Sequence, residues 1–187
     1  MNFGVISRRR REGLLSAASA GFFLLLIGFL FLIKPNLYSD TVIFFNNFNA
    51  TSTIRNTQIK LPAPDALRSA TNSTVRKANL DVYSAAQQFS LAWGIFLIAL
   101  LVMRFAFDSA WRRKARNISD IVFWFGAIYL IQTWLIGPTN SLPYPTDAQP
   151  WFEFWSMMIV LIGASLIIRA ICLAAYRRES AQDRKEG

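Results

Sequence analysis

The sequence predicts an all-α membrane protein: a four-helix transmembrane bundle with a small extracytoplasmic, β-containing subdomain between helices 1 and 2. Three observations predict it. Apolar residues make up 53% of the chain against 17% charged, and the excess gathers into long runs. Those runs approach the about 20 residues that a helix needs to cross a hydrocarbon core. Lysine and arginine stand beside the runs in an alternating pattern. The length, 187 residues, suits one four-span domain over 1–187, with the outer segment 34–84 inserted in it.

The first span covers roughly Gly13 to Ile33 and includes "GFFLLLIGFLFLI". It follows the basic run Arg8 to Arg11, as a signal peptide would. However, the small residues "SAASAG" open the apolar run instead of following it, which favours an uncleaved anchor over a cleaved signal. Ser16, Ala17, Ala20, Gly21 and Gly28 recur at four- and seven-residue spacing and suggest close helix packing, within the chain or between chains. The second span covers roughly Ala85 to Phe107. The third, roughly Ile121 to Ile136, is the shortest. The fourth runs from Trp151 to Tyr176.

Basic residues set the orientation. They flank the N-terminal run, the link after span two (Arg112, Arg113, Lys114, Arg116) and the C-terminal tail (Arg177, Arg178, Arg184, Lys185). The link "GPTNSLPYPTDAQP" between spans three and four has none. Both termini are therefore expected on the cytoplasmic side of a cell membrane. The net charge of +9 belongs to these flanks, so nucleic acid is set aside as a partner.

The outer segment 34–84 is long for a turn and short for an independent core. "DTVIFFNNFN" is β-branched and aromatic, and the polar "NATSTIRNTQIKL" follows it, so two short strands are expected. Asp65, after Pro62 and Pro64, suits a helix N-cap. The stretch to Ser84 has no breaker and leads into span two. Asn49 and Asn72 begin N-glycosylation sequons. A third sequon, at Asn117, falls on the inner side, so the motif also arises here by chance. The layout resembles that of claudin-like proteins. Segment 34–84 holds neither Trp nor Cys, so that family's loop signature is missing and the likeness ends at architecture.

Arg169 interrupts the apolar "LIIRAICL". It lies about 12 Å along the helix from Arg177, within reach of headgroups for an arginine stem. At about 100° per residue it shares a stripe with Trp155, Met158, Ile162, Ser165, Cys172 and Tyr176. Gly163, Ala170 and Ala174 fall opposite. If small residues mark the packed face, Arg169 points to lipid and snorkels. The competing reading is an ion pair with Asp120, in a cluster with Arg104. Asp120 also suits the first turn of span three, with Ser119 as its cap, and Arg104 can pair with Asp108 four residues on. Gln132 and Thr133 lie deeper in span three, where such groups bond between helices or line a polar path.

The chain has no histidine and one cysteine, Cys172. No nucleotide loop, metal set or nucleophile–base pair appears in it, so neither catalysis nor a cofactor is expected. The function expected is a non-catalytic, accessory or scaffolding role, with the outer segment meeting a partner. The alternative is a pore or transporter subunit that uses Gln132, Thr133 and the charged cluster. The partners implied are the lipid bilayer and either further copies of the chain or other membrane proteins.

Overall fold

The computed structural model describes residues 3–53, 60–64, 73–106, 111–137 and 149–186. Four of its helices are long and apolar enough to cross a membrane, over Ser16–Ile33, Thr74–Ala106, Trp111–Ile136 and Trp151–Tyr176. The fourth span coincides with the sequence reading, while the second and third begin about three turns earlier.

Helix α1 spans Phe3–Ile33. Pro35 stops it soon after, because proline has no N–H to give the ladder and its ring clashes with the preceding turn. A turn closed by the Leu37 N–H on the Lys34 carbonyl (2.9 Å) leads into α2, Leu37–Asn46. This helix replaces the strand expected for "TVIFF". Leu37 and Phe44, seven residues apart, share one buried helical stripe. Burial of Phe44 against other helices outweighs local β preference, which is largely a preference for fitting a pleated, half-buried surface. The Thr41 hydroxyl donates to the Leu37 carbonyl at 2.7 Å, so a strand former meets its polar need inside the helix. Asn47 ends α2, its backbone and side-chain N–H groups both donating to the Ile43 carbonyl.

Two short strands follow, β1 (Phe48–Thr53) and β2 (Lys60–Pro64), paired antiparallel with an irregularity between Asn49 and Ser52. The expected strand pair is thus displaced toward the C-terminus from "TVIFF". Asn49 lies in β1, whereas Asp65 and Asn72 fall outside the described residues.

Helix α3, Ser73–Ala106, leads into the second span without a break. Helix α4, Trp111–Leu130, passes into a π-helical stretch, Ile131–Ile136. Gly137 closes that stretch with φ 69°, a backbone that favours glycine, and donates to the Gln132 carbonyl at 2.9 Å. Helix α5 spans Gln149–Glu186. Helix α4 packs against both α3 and α5, α2 lies along α3, and α1 leans more lightly on α3.

A buried cluster of Phe44, Tyr83, Leu130, Ile131, Leu135 and Phe154 draws on α2, α3, α4 with its π stretch, and α5. Helix α1 is held by rings: Phe22 stacks on Phe96 at 4.0 Å, and Phe23 meets Trp93 edge-on at 5.4 Å. Among the described residues Gly21 and Gly28 have no atom within 4 Å of an added Cβ, so their small-residue face is open there.

Candidate functional site

The polar contacts between spans separate into two groups at opposite ends of α4. The basic end is built from the start of α4. Because the helix begins at Trp111, Ser119 is not its cap and Asp120 is not in its first turn. Ser119 is buried, and its hydroxyl donates to the Ser165 carbonyl of α5 at 2.7 Å. Two turns nearer the start, the Trp111 indole donates to the Cys172 carbonyl at 2.9 Å, and its ring stacks on Tyr176 at 5.4 Å. These contacts fix α4 antiparallel to α5.

They also correct the orientation of Arg169. Its stripe, with Ser165, Cys172 and Tyr176, is the one that meets α4. The small residues Ala170 and Ala174 are exposed, and Gly163 has open space at its Cβ position. At this end of the α4–α5 contact the face is marked by hydrogen bonds to helix carbonyls from Ser119 and Trp111, and Ala170 and Ala174 lie off it. Arg169 is half-buried and close enough to the half-buried Asp120 to act on it electrostatically, as do Arg116 and Arg104. The three candidates Arg104, Asp120 and Arg169 thus share one electrostatic neighbourhood.

Arg104 has further partners. Its guanidinium donates to the Arg113 carbonyl and to Asn117 Oδ1, each at 3.0 Å. Asp108 lies outside the described residues. Asn117 is 2% exposed and passes the contact on, its amide donating to the Leu97 carbonyl of α3 at 3.0 Å. This burial leaves its sequon no access to a glycan. Lys114 is also buried, with its ammonium over the Phe105 ring at 4.5 Å from the centroid. A cation so placed exchanges part of its hydration for the ring's negative face.

At the other end Gln132 lies on the π stretch. It accepts a hydrogen bond at 2.8 Å from Gln87 of α3. Thr133 is exposed beside it. Twelve residues separate Asp120 from Gln132, about 18 Å of helix. The structure therefore does not bring the five candidates into one site. At the α1–α3 contact, the Lys34 ammonium donates to the Ser84 hydroxyl and, at 3.3 Å, to the Asp81 carbonyl.

The sequence reading missed Asn117 and Ser119 as packing residues. A signal existed: Ala115 and Ser119 are four residues apart and Lys114 and Asn117 three, spacings at which helical residues are neighbours on a shared surface. It missed Asn79 as well, which is 1% exposed and has no side-chain hydrogen-bond partner among the described residues. Among the described residues no group of three or more Asp, Glu, Cys or His side chains is placed to hold a metal ion.

No protein-family model matches the chain, and neither a curated protein nor a solved structure matches it.

Proposed function

We propose that this chain is a non-catalytic integral membrane protein, an accessory or scaffolding subunit whose outer segment meets a partner. The observation that carries this reading is the use of its polar side chains. Gln87 with Gln132, Asn117 with Leu97, Ser119 with Ser165 and Trp111 with Cys172 are separate bonds between neighbouring helices. Such bonds stabilise helix association at about 0.6–1.7 kcal/mol each. A transport path instead needs polar groups that converge on one cavity. The open small-residue face of α1 supports association too, since Gly21 and Gly28 can admit a second helix closely.

In this reading the four spans form a bundle in a cell membrane, with both tails cytoplasmic. Helix α2 and the β1–β2 pair form the extracytoplasmic subdomain, where the sequon Asn49 would be accessible to glycosylation. The basic flanks support that orientation.

A second reading, a pore or transporter subunit, has one observation in its favour. Gln132 and Thr133 are exposed on a π-helical stretch, and such stretches are frequent at functional sites.

The test is purification in a mild detergent, with identification of co-purifying proteins and measurement of oligomer size. The scaffolding reading expects a stable complex that is lost when residues 47–64 are replaced by a glycine–serine linker. A chain that purifies alone, and that conducts solute in proteoliposomes in a Gln132-dependent way, would overturn it.

A further inference from the structure

Two arginines stand nearly level with each other on neighbouring helices. Trp111 bonds across to Cys172 and Ser119 to Ser165, eight residues along α4 against seven along α5. Interpolation between these rungs sets Arg116 of α4 level with residues 167–168 of α5, about 2 Å along the axis from Arg169. Arg116 is exposed and Arg169 half-buried. Both act electrostatically on Asp120, which stands one turn from Arg116 on α4. Among the described residues neither guanidinium has a hydrogen-bond partner. The nearby Arg104, by contrast, is engaged with Asn117 and the Arg113 carbonyl.

One carboxylate therefore faces more than one positive charge, within a stretch of chain long and apolar enough to lie in a membrane. A cation at that depth draws in a counter-charge, and the anion nearest to hand is a lipid phosphate. A guanidinium suits it, because its planar N–H fork matches two phosphate oxygens at once. Toward the middle of α5, Ile162 of Arg169's stripe and Leu166 next to that stripe are exposed. They offer apolar surface to an acyl chain whose headgroup is held above.

From this we infer that Arg116 and Arg169 form a binding site for the phosphate of one anionic phospholipid, seated in the groove between α4 and α5. Asp120 adds one negative charge near the two guanidinium groups and does not neutralise both. The inference is independent of the accessory role proposed above: the site serves a scaffold or a transporter equally, by fixing α4 against α5.

The test uses the full chain in nanodiscs of phosphatidylcholine containing phosphatidylglycerol. Retained lipid is counted by native mass spectrometry, and the relative affinity is read by competition. The wild type is expected to retain phosphatidylglycerol in preference to phosphatidylcholine. Arg116→Gln and Arg169→Gln should each weaken that preference about fivefold, the equivalent of about 1 kcal/mol per basic residue. Arg112→Gln, an exposed position on the same helix, should leave it unchanged. Three results would overturn the site: no preference in the wild type, an equal loss in Arg112→Gln, or full displacement of the lipid by inorganic phosphate. If the glutamine variants fail to insert, Arg116→Lys with Arg169→Lys keeps the charge and removes the planar forks. Retention should then fall, and retention equal to the wild type would also overturn the proposal.

Discussion

The Asn117 amide of α4 donates to the Leu97 carbonyl of α3 at 3.0 Å, while its oxygen accepts from Arg104 at the same distance. One buried side chain thus uses both its donor and its acceptor to join two spans and to hold a cation at their shared end. Asn117→Leu removes both bonds and leaves Arg104 short of an acceptor. The expected loss is about 1–3 kcal/mol, from two interhelical bonds of ordinary strength. Reversible unfolding in bicelles measures it, and a loss below about 0.5 kcal/mol would mean that the pairing contributes little.

Asp120 and Arg169 should be energetically coupled. Asp120→Asn removes a carboxylate on which Arg116, Arg169 and Arg104 all act and leaves their mutual repulsion less opposed. Arg169→Leu in the same chain relieves part of that repulsion. The double-mutant cycle is expected to give a coupling of about 0.5–3 kcal/mol, the range for residues in one charged network. Simple additivity of the two single changes would show that Asp120 and Arg169 do not interact.

Gly126 and Gly28 should respond in opposite ways. A Cβ on Gly126 lies 3.2 Å from Leu161 Cγ and closer still to both δ-methyls, so α4 and α5 approach each other through this residue. Gly126→Val should destabilise the chain by about 1–3 kcal/mol through overpacking. Gly28 has open space, so Gly28→Leu should leave monomer stability near that of the wild type. If the α1 face receives a partner, Gly28→Leu instead reduces complex size on a sizing column. Equal stability losses in the two variants would contradict this assignment of packed and open faces.

Phe44 fastens α2 to the spans. It is 5% exposed and meets Tyr83 edge-on at 5.6 Å and Trp151 at 6.3 Å. Phe44→Ala should cost about 3–5 kcal/mol. Amide exchange should quicken over residues 37–46 before it does so in α4. Unchanged protection there would show that α2 is held by other contacts.

The orientation is open to direct labelling. With Cys172 replaced by alanine, cysteines at Ser7 and Ser180 should be blocked from an impermeant reagent in intact cells, and a cysteine at Thr51 should react. Labelling of either tail from outside would invert or break the topology drawn from the basic flanks.

The four spans were legible in the sequence because membrane crossing depends on length and apolarity, which are summed along the chain and require no partner. The rough bounds read for the fourth span, Trp151 and Tyr176, coincide with those of the apolar stretch of α5. The start of α4 could not. The basic residues Arg112 to Arg116 resemble a solvated link, yet Lys114 and Asn117 are buried, because Phe105 and the Leu97 carbonyl of α3 receive them. Likewise "TVIFF" carries local β preference, and only the packing of Phe44 against three other segments makes it a helix.

The face of Arg169 shows the same division. Helical periodicity alone fixed which residues share its stripe, because that follows from about 100° of rotation per residue. Which way the stripe points depends on what the neighbouring helix supplies. Ser119 and Trp111 offer donors to α5 carbonyls, and the register they impose brings Arg169 within electrostatic reach of Asp120. The sequence by itself determined the spans, the stripes and the inventory of charges. The tertiary structure alone decided which stripes face one another, because that choice is made by bonds between residues dozens of positions apart.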